Sequence, residues 1–401
     1  MPSICASKPL DIQTIYVGKN QVTHPSIVAF KTPWNGYRYW MAYTPFPYMD
    51  GAQENPCIAV SNDLIHWDKP NGLINPVATC YEDNCDELKD PELVFNASTQ
   101  LLELWYLGRI NSSLQEGGPL HVFRKTSSDG IHWSLREVLY TYTDKRLVSP
   151  AILFDAELNV HRFWGIFHEK GCIALYYMES FDNGYTWSEQ QLCEVPKCKE
   201  TGMWHGGICR ADEKLFFVWM GEGQKRTLGQ DIYVAESTDG IHFSTVRSIV
   251  SNKKGWQQFY RPSLVYTAGK FWLFYGLVRC DNSWHIGLSN GATLDQLEPV
   301  ETGIYEPCPL SMKVNSFFSY VGKNFFIKGT LMSALLPILL LFNVPLWLSF
   351  TLCVLLTFVM LRFLNVWKWL DKAFVTSTLS CAFLYFSISL LKSIISLFIN
   401  L

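Results

Sequence analysis

The chain has 401 residues, 48% of them apolar, and a formal net charge of −3. That is enough for a large core, and a near-neutral balance without a basic tract argues against nucleic acid as a main partner. Aromatic residues reach 15%, with 15 Trp and 19 Tyr, a richness shared by all-β cores and by proteins that stack sugar rings.

The first twenty residues, MPSICASKPLDIQTIYVGKN, carry no apolar stretch behind a basic head, so no secretory signal is expected. Of the 12 cysteines, Cys80 and Cys85 in CYEDNC, and Cys193 and Cys198 in CEVPKC, are spaced for local disulfides. Neither pair has the Cys-x-x-Cys spacing of a zinc site. Without an export signal the expectation is reduced thiols, no metal and no cofactor, and the acidic stretch CYEDNCDELKD is read as a solvated loop.

The next 300 or so residues repeat. Four boxes are alike: SNDLIHW from Ser61, SSDGIHW from Ser127, SFDNGYTW from Ser180 and STDGIHF from Ser237, with a degenerate fifth, SNGATLDQL, from Ser289. Each follows an apolar strand, and its Asp and Gly suit a tight turn before the aromatic opens the next strand. Upstream of each box lies an aromatic strand: YRYWMAY, LLELWYLG, HRFWGIF, KLFFVWM and KFWLFYG. Further upstream, a polar residue and a Pro or Gly precede an apolar run, at His24, Asp90, Ser149, His205 and Arg261. These starts recur every 55 to 65 residues or so, and no helical period intervenes. Four strands per repeat and five repeats predict an all-β, five-bladed β-propeller over residues 1–310. The segment DIQTIYVG, from Asp11, is expected to complete the last blade and close the ring.

In this arrangement the five starts are the mouths of the innermost strands and converge on one end of the central channel. Strand alternation puts the loops between second and third strands at the same end, and the boxes at the other. Asp63, Asp129, Asp182 and Asp239 are therefore expected to bond backbone, with the box aromatics packed between blades. Asp90, in KDPELVF, and Glu54 abut strands and should lie deep. Cleaving a glycosidic bond needs one ionised and one protonated carboxyl group. Asp90 beside Arg261 suits the ionised role, and Glu54 or Glu222 the acid. His24 and His205 are placed to bond sugar hydroxyls, and Trp34, Tyr43, Trp204 and Tyr260 to stack on a ring. Arg109 and Glu169 come from rim loops facing the same mouth.

Composition changes after about residue 325. Leu331 to Met360 contains no charge, and Phe374 to Leu401 carries only Lys392. The first run exceeds the roughly 20 residues that span a bilayer. Arg362, Lys368 and Lys372 lie between the runs, with Trp367 and Trp369 suited to the interface. The reading is a linker over 311–328 and a hairpin of two transmembrane helices over 329–401, with the propeller on the cytoplasmic side.

The boxes and the x-Pro strand starts resemble those of the five-bladed propeller glycosidases, glycoside hydrolase families 43, 32 and 68. The resemblance implies that KDPELVF matches their Asp-Pro element and that Asp90 is an active-site acid. The chain departs from them at His24, where those enzymes place an Asp, and at Ser149 and His205, where another acid is expected. The function expected is a membrane-anchored glycoside hydrolase or transglycosidase acting on an oligo- or polysaccharide, lipid-linked or on a surface. The alternatives are a carbohydrate-binding propeller without catalysis and a membrane-tethered protein-interaction platform.

Overall fold

The structure is a computed structural model that describes residues 2–6, 8–15, 20–83, 85–110, 119–143, 146–169, 172–196, 202–222, 231–251, 256–279 and 283–301. It is a five-bladed propeller, all β apart from a few short helical turns. The innermost strands are Val22–Trp34, Glu87–Asn96, Arg146–Asp155, Gly202–Ala211 and Trp256–Thr267, one to a blade. Each pairs antiparallel with its own second strand, and that with the third. Blade one has three strands, and only a bridge from Val60 to Asp68 stands where its fourth would be.

The core is divided among five apolar clusters, one for each blade interface, which is how a ring of twisted sheets buries both faces. The boxes join these interfaces. In three of them an Asp oxygen accepts two backbone N–H groups at 2.8 Å: Asp63 from Ile65 and His66, Asp129 from Ile131 and His132, Asp239 from Ile241 and His242. Asp182 accepts from the Thr186 N–H instead. Gly130, Gly184 and Gly240 then sit on the indoles of Trp40, Trp105 and Trp164 in the preceding blades. Their φ values of +76°, +87° and +84° and the nearness of those rings both demand glycine. The boxes are structural, as their spacing implied.

Ring closure differs from the expectation. Ser3–Ile4 adds a parallel edge to blade four, beside Val250 and Ser251, and blade five completes itself with Glu298–Pro299. Among the described residues, one backbone-to-backbone bond, from Leu10 N–H to the Ile286 carbonyl at 2.8 Å, ties the next segment to blade five. Leu10 and Ile12 instead wedge their side chains into the cluster between blades five and one. The seam is closed by packing rather than by strand exchange.

Cys193 is a free thiol, while Cys198 lies outside the described residues. The two apolar runs also lie outside them, and among the described residues no helix is long and apolar enough to cross a membrane.

Candidate functional site

Three of the five strand starts take an unusual backbone. His24, Asp90 and Arg261 have φ of +55°, +52° and +22°, and each precedes a proline. A residue before proline is normally held in the extended region, so these conformations cost on the order of 1–3 kcal/mol each. At each one the pairing register slips, between Thr23 and Ser26, Lys89 and Glu92, and Tyr260 and Ser263. Such bulges re-aim a side chain. Blade four slips between Met203 and Gly206, around His205.

The re-aimed side chains meet. Asp90 Oδ1 lies 2.8 Å from Arg261 Nη1, 3.4 Å from His24 Nε2 and 3.3 Å from His205 Nδ1. All four residues are at most 3% exposed. Arg261 reaches across from blade five, giving its other arm to Glu92 Oε2 at 2.6 Å and to the Pro150 carbonyl at 3.2 Å. It thereby ties together blades five, two and three. His24 Nδ1 faces Thr44 Oγ1 at 2.8 Å and Glu54 Oε1 at 3.2 Å. Tyr260 packs on both imidazoles, 5.2 Å from His24 and 4.3 Å from His205, and Trp204 meets His205 edge-on at 5.8 Å.

The electrostatics divide the groups sharply. Burial opposes the charge on Asp90, but His205, His24 and Arg261 overcome it and hold the carboxyl far below the usual carboxylate range. Burial pushes His24 down to about 3 and lowers His205, against the pull of Asp90, so both imidazoles are neutral at pH 7. The standing cation at Asp90 is therefore Arg261. Glu54, with a side chain 13% exposed, is raised well above the ordinary range by burial and by Asp90. Both causes favour its protonated form. Tyr260 is likewise raised by burial and by Asp90 and Glu54.

Two polar atoms stand out. His24 Nε2 and His205 Nδ1 are buried, and their approaches to Asp90 Oδ1, at 3.4 and 3.3 Å, are too long or too poorly aligned to satisfy them fully. A buried polar atom left unsatisfied is costly unless something else uses it. These two nitrogens and a carboxylate oxygen of Asp90 lie within 4.8 Å of one another. The edge of a tetrahedron with arms of about 2.1 Å is about 3.4 Å, and the two nitrogen–oxygen separations match it. Neutral imidazoles offer lone pairs, and on His24 the opposite nitrogen is fixed by Thr44 and Glu54, as ligand histidines usually are. The donor set fits a divalent cation. The sequence reading expected no metal, because it sought clustered motifs, whereas these donors come from three separate blades.

Of the residues named from sequence, Asp90, Glu54, His24, His205, Arg261, Tyr260 and Trp204 come together here. Arg109 pairs with Glu87 at 3.0 Å, and Glu87 in turn with Lys89 at 2.8 Å. Two stacking residues are misplaced. Trp34 ends its strand at the far hairpin, stacked on Phe30 and packed against Trp40 and Phe95 in the cluster between blades one and two. Tyr43 is 3% exposed in the cluster between blades five and one, its hydroxyl bonded to the Gln13 carbonyl. Neither lines the mouth. Glu222 and Glu169 terminate their strands, opposite Gly202 and Cys172, and their side chains lie outside the described residues. Glu92, Thr44 and Lys89 were missed, Glu92 because the register shift between Lys89 and Glu92 breaks the alternation that would relate it to Asp90.

No known family profile matches the chain. Over 307 residues it is 27% identical to the A type blood N-acetyl-α-D-galactosamine deacetylase of Flavonifractor plautii, a match over 62% of this chain and 38% of that protein's length. The crystal structure of an N-acetylgalactosamine deacetylase from F. plautii in complex with blood group B trisaccharide superposes with a TM-score of 0.62. That superposition has 20% identity and covers 72% of this chain and 95% of the other. A thermostable family-43 glycoside hydrolase gives 0.52 at 13% identity, covering 72% and 95%. The α-L-arabinofuranosidase PaAbf62A of Podospora anserina, in complex with cellotriose, gives 0.51 at 9%, covering 73% and 99%. These structural likenesses carry the fold: the described residues share the five-bladed architecture of these carbohydrate-active enzymes, as the resemblance to family 43 implied.

Proposed function

We propose that the propeller is a metal-assisted hydrolase of N-acylated amino sugars, removing an acetyl group from the amide of a glycan residue. The observation that carries this reading is the convergence of two buried imidazole nitrogens on one oxygen of Asp90, at 3.4 and 3.3 Å. The sequence similarity to a deacetylase supports the choice of bond. His24, Asp90 and His205 would hold the cation, which supplies Lewis acidity toward an acyl oxygen and toward water. Asp90 stays ionised and its neighbours stay neutral, so the donors need no deprotonation at neutral pH. Arg261 keeps Asp90 in place. Amide hydrolysis adds water at the acyl carbon, breaks the C–N bond and leaves acetate and an amine that needs a proton. Glu54, favoured in its protonated form beside His24, is the group suited to give it, and the carboxylate so formed recovers the proton that the attacking water gives up. Tyr260 and Trp204 wall the site and limit access of bulk water.

A glycoside hydrolase, the expectation from sequence, is the second reading. It is favoured by the opposite shifts of Glu54 and Asp90, which are those of an acid and an ionised partner. One assay separates the two. The protein is incubated with an oligosaccharide ending in N-acetylgalactosamine, with and without prior chelation, and acetate and reducing ends are both measured. Acetate release that chelation abolishes and Zn²⁺ or Mn²⁺ restores supports the deacetylase. New reducing ends insensitive to chelation would overturn it in favour of the glycosidase, and saturable binding without product would leave a lectin-like propeller.

We also propose that residues 329–401 anchor the chain in a membrane, with the propeller on the cytoplasmic side and a lipid-linked or surface saccharide as its substrate. The 30-residue uncharged run from Leu331 to Met360 supports this. Extraction of the full chain from membranes by alkaline carbonate would refute the anchor, and digestion of the propeller by protease added outside sealed cells would refute the orientation.

A further inference from the structure

We infer that Glu92 is a positioning residue, which holds one arm of Arg261 so that Asp90 receives only the other. This rests on the metal reading above. A guanidinium facing a lone carboxylate tends to bind it with two parallel N–H donors. Here the fork is split: Nη1 bonds Asp90 Oδ1 at 2.8 Å, while Nη2 bonds Glu92 Oε2 at 2.6 Å and the Pro150 carbonyl at 3.2 Å. The split is enforced from behind. Glu92 is buried, and its carboxylate faces Ser26 and the backbone of Ile152, which both favour its charge. Ser26 Oγ in turn accepts the Leu93 N–H at 2.9 Å. Glu92 is therefore fixed by blades one and three, and the guanidinium must come to it.

The consequence falls on Asp90. With a single charged donor committed to it, the carboxylate keeps lone-pair capacity toward the gap it shares with His24 Nε2 and His205 Nδ1. Without Glu92, the strongest remaining acceptor for Nη2 is Asp90. The arm would swing onto it, close a bidentate pair and draw the carboxylate away from the imidazoles. Removing such a supporting contact typically lowers metal affinity roughly tenfold to a hundredfold.

The test uses the full chain, stripped of metal and titrated with Co²⁺ alone, whose visible absorption reports its ligand set. Glu92→Ala should bind Co²⁺ about ten to a hundred times more weakly, with an altered band. Glu92→Asp, which keeps the charge but shortens the reach and so protects folding, should lose severalfold. Glu92→Gln, which keeps an acceptor for Nη2, should restore wild-type binding. Wild-type affinity and spectrum in folded Glu92→Ala or Glu92→Asp would overturn the inference. A crystal structure of metal-free Glu92→Asp decides the matter without any metal. Both Nη atoms on Asp90 is the expected result, and an unmoved guanidinium would overturn it. If the wild type takes up no Co²⁺, the metal reading fails, and this structure still decides the role of Glu92.

Discussion

Replacing Arg261 by Met tests the physical account of the site most directly. The guanidinium is 1% exposed, and its removal strands two carboxyl groups, Asp90 and Glu92, whose side chains are 3% and 11% exposed. Breaking a buried pair by removing one partner costs about 3–5 kcal/mol, since the remaining charge is left uncompensated. For about 300 propeller residues the unfolding entropy is roughly 0.6 kcal/mol per degree, so the melting temperature should fall by about 5 to 8 °C. The assay is thermal unfolding of the metal-stripped chain followed by tryptophan fluorescence, between pH 7 and pH 4.5. In the wild type, the depressed Asp90 carboxyl contributes stability above its unfolded value of about 4, lost as pH falls through the folded value. In the variant burial still opposes the ionised carboxyl, while His205 and His24 remain beside it and are no longer held down by the guanidinium. An imidazole can then take a proton and pair with Asp90 as pH falls, so the deficit should narrow on acidification. A fall of less than about 2 °C at pH 7, or a gap that stays constant or widens toward pH 4.5, would refute the reasoning.

Three other outcomes follow from the same coordinates. Gly130→Ala would put a Cβ 2.1 Å from the Trp40 ring at φ +76° and should cost about 2–4 kcal/mol in thermal unfolding. Gly269→Ala, with open space around it at φ +73°, should cost only about 1 kcal/mol, and equal losses would undo the packing argument. His66 and His242 are each raised by the box aspartate they bond, at 2.7 and 2.6 Å, so their NMR titration midpoints should lie above the ordinary 6.5. Their contribution to stability is full below about pH 6.5 and is lost as pH rises through the raised value; a midpoint at or below 6.5 would exclude it. Glu54→Gln should retain the fold and lower turnover by roughly 10²- to 10⁴-fold, and unchanged turnover removes Glu54 from proton transfer.

What the sequence revealed and what it hid divide along the range of the interactions. The box turns were legible because their chemistry is local: in four blades a Ser and an Asp accept from backbone N–H groups two to four residues further on. The strand starts were legible through proline, which bars a residue from the middle of a ladder. Parity explains the two misplaced aromatics. Tyr43 and Thr44 are neighbours on one strand, so only one of them can face the channel, and it is Thr44 that reaches His24. Trp34 lies ten residues beyond His24 on the same strand, which at about 3.3 Å per residue carries it to the opposite end of the blade. Both errors came from reading aromatic type before strand phase. Strand phase would not have found Glu92, because the bulge between Lys89 and Glu92 interrupts the alternation.

The convergence itself was beyond a sequence reading. His24, Asp90, His205 and Arg261 come from four blades, and what aims the first two and Arg261 inward is a left-handed backbone directly before proline. No propensity predicts that conformation, since proline disfavours it. It persists because the ring over-determines it: the bulged strands are pinned on both sides by their ladders, and the four side chains are held by one another. Left-handed conformations at non-glycine residues cluster where structure is held for a purpose. Here three of them surround a single carboxylate, which is why the site, rather than the boxes that announce the fold, carries the functional argument.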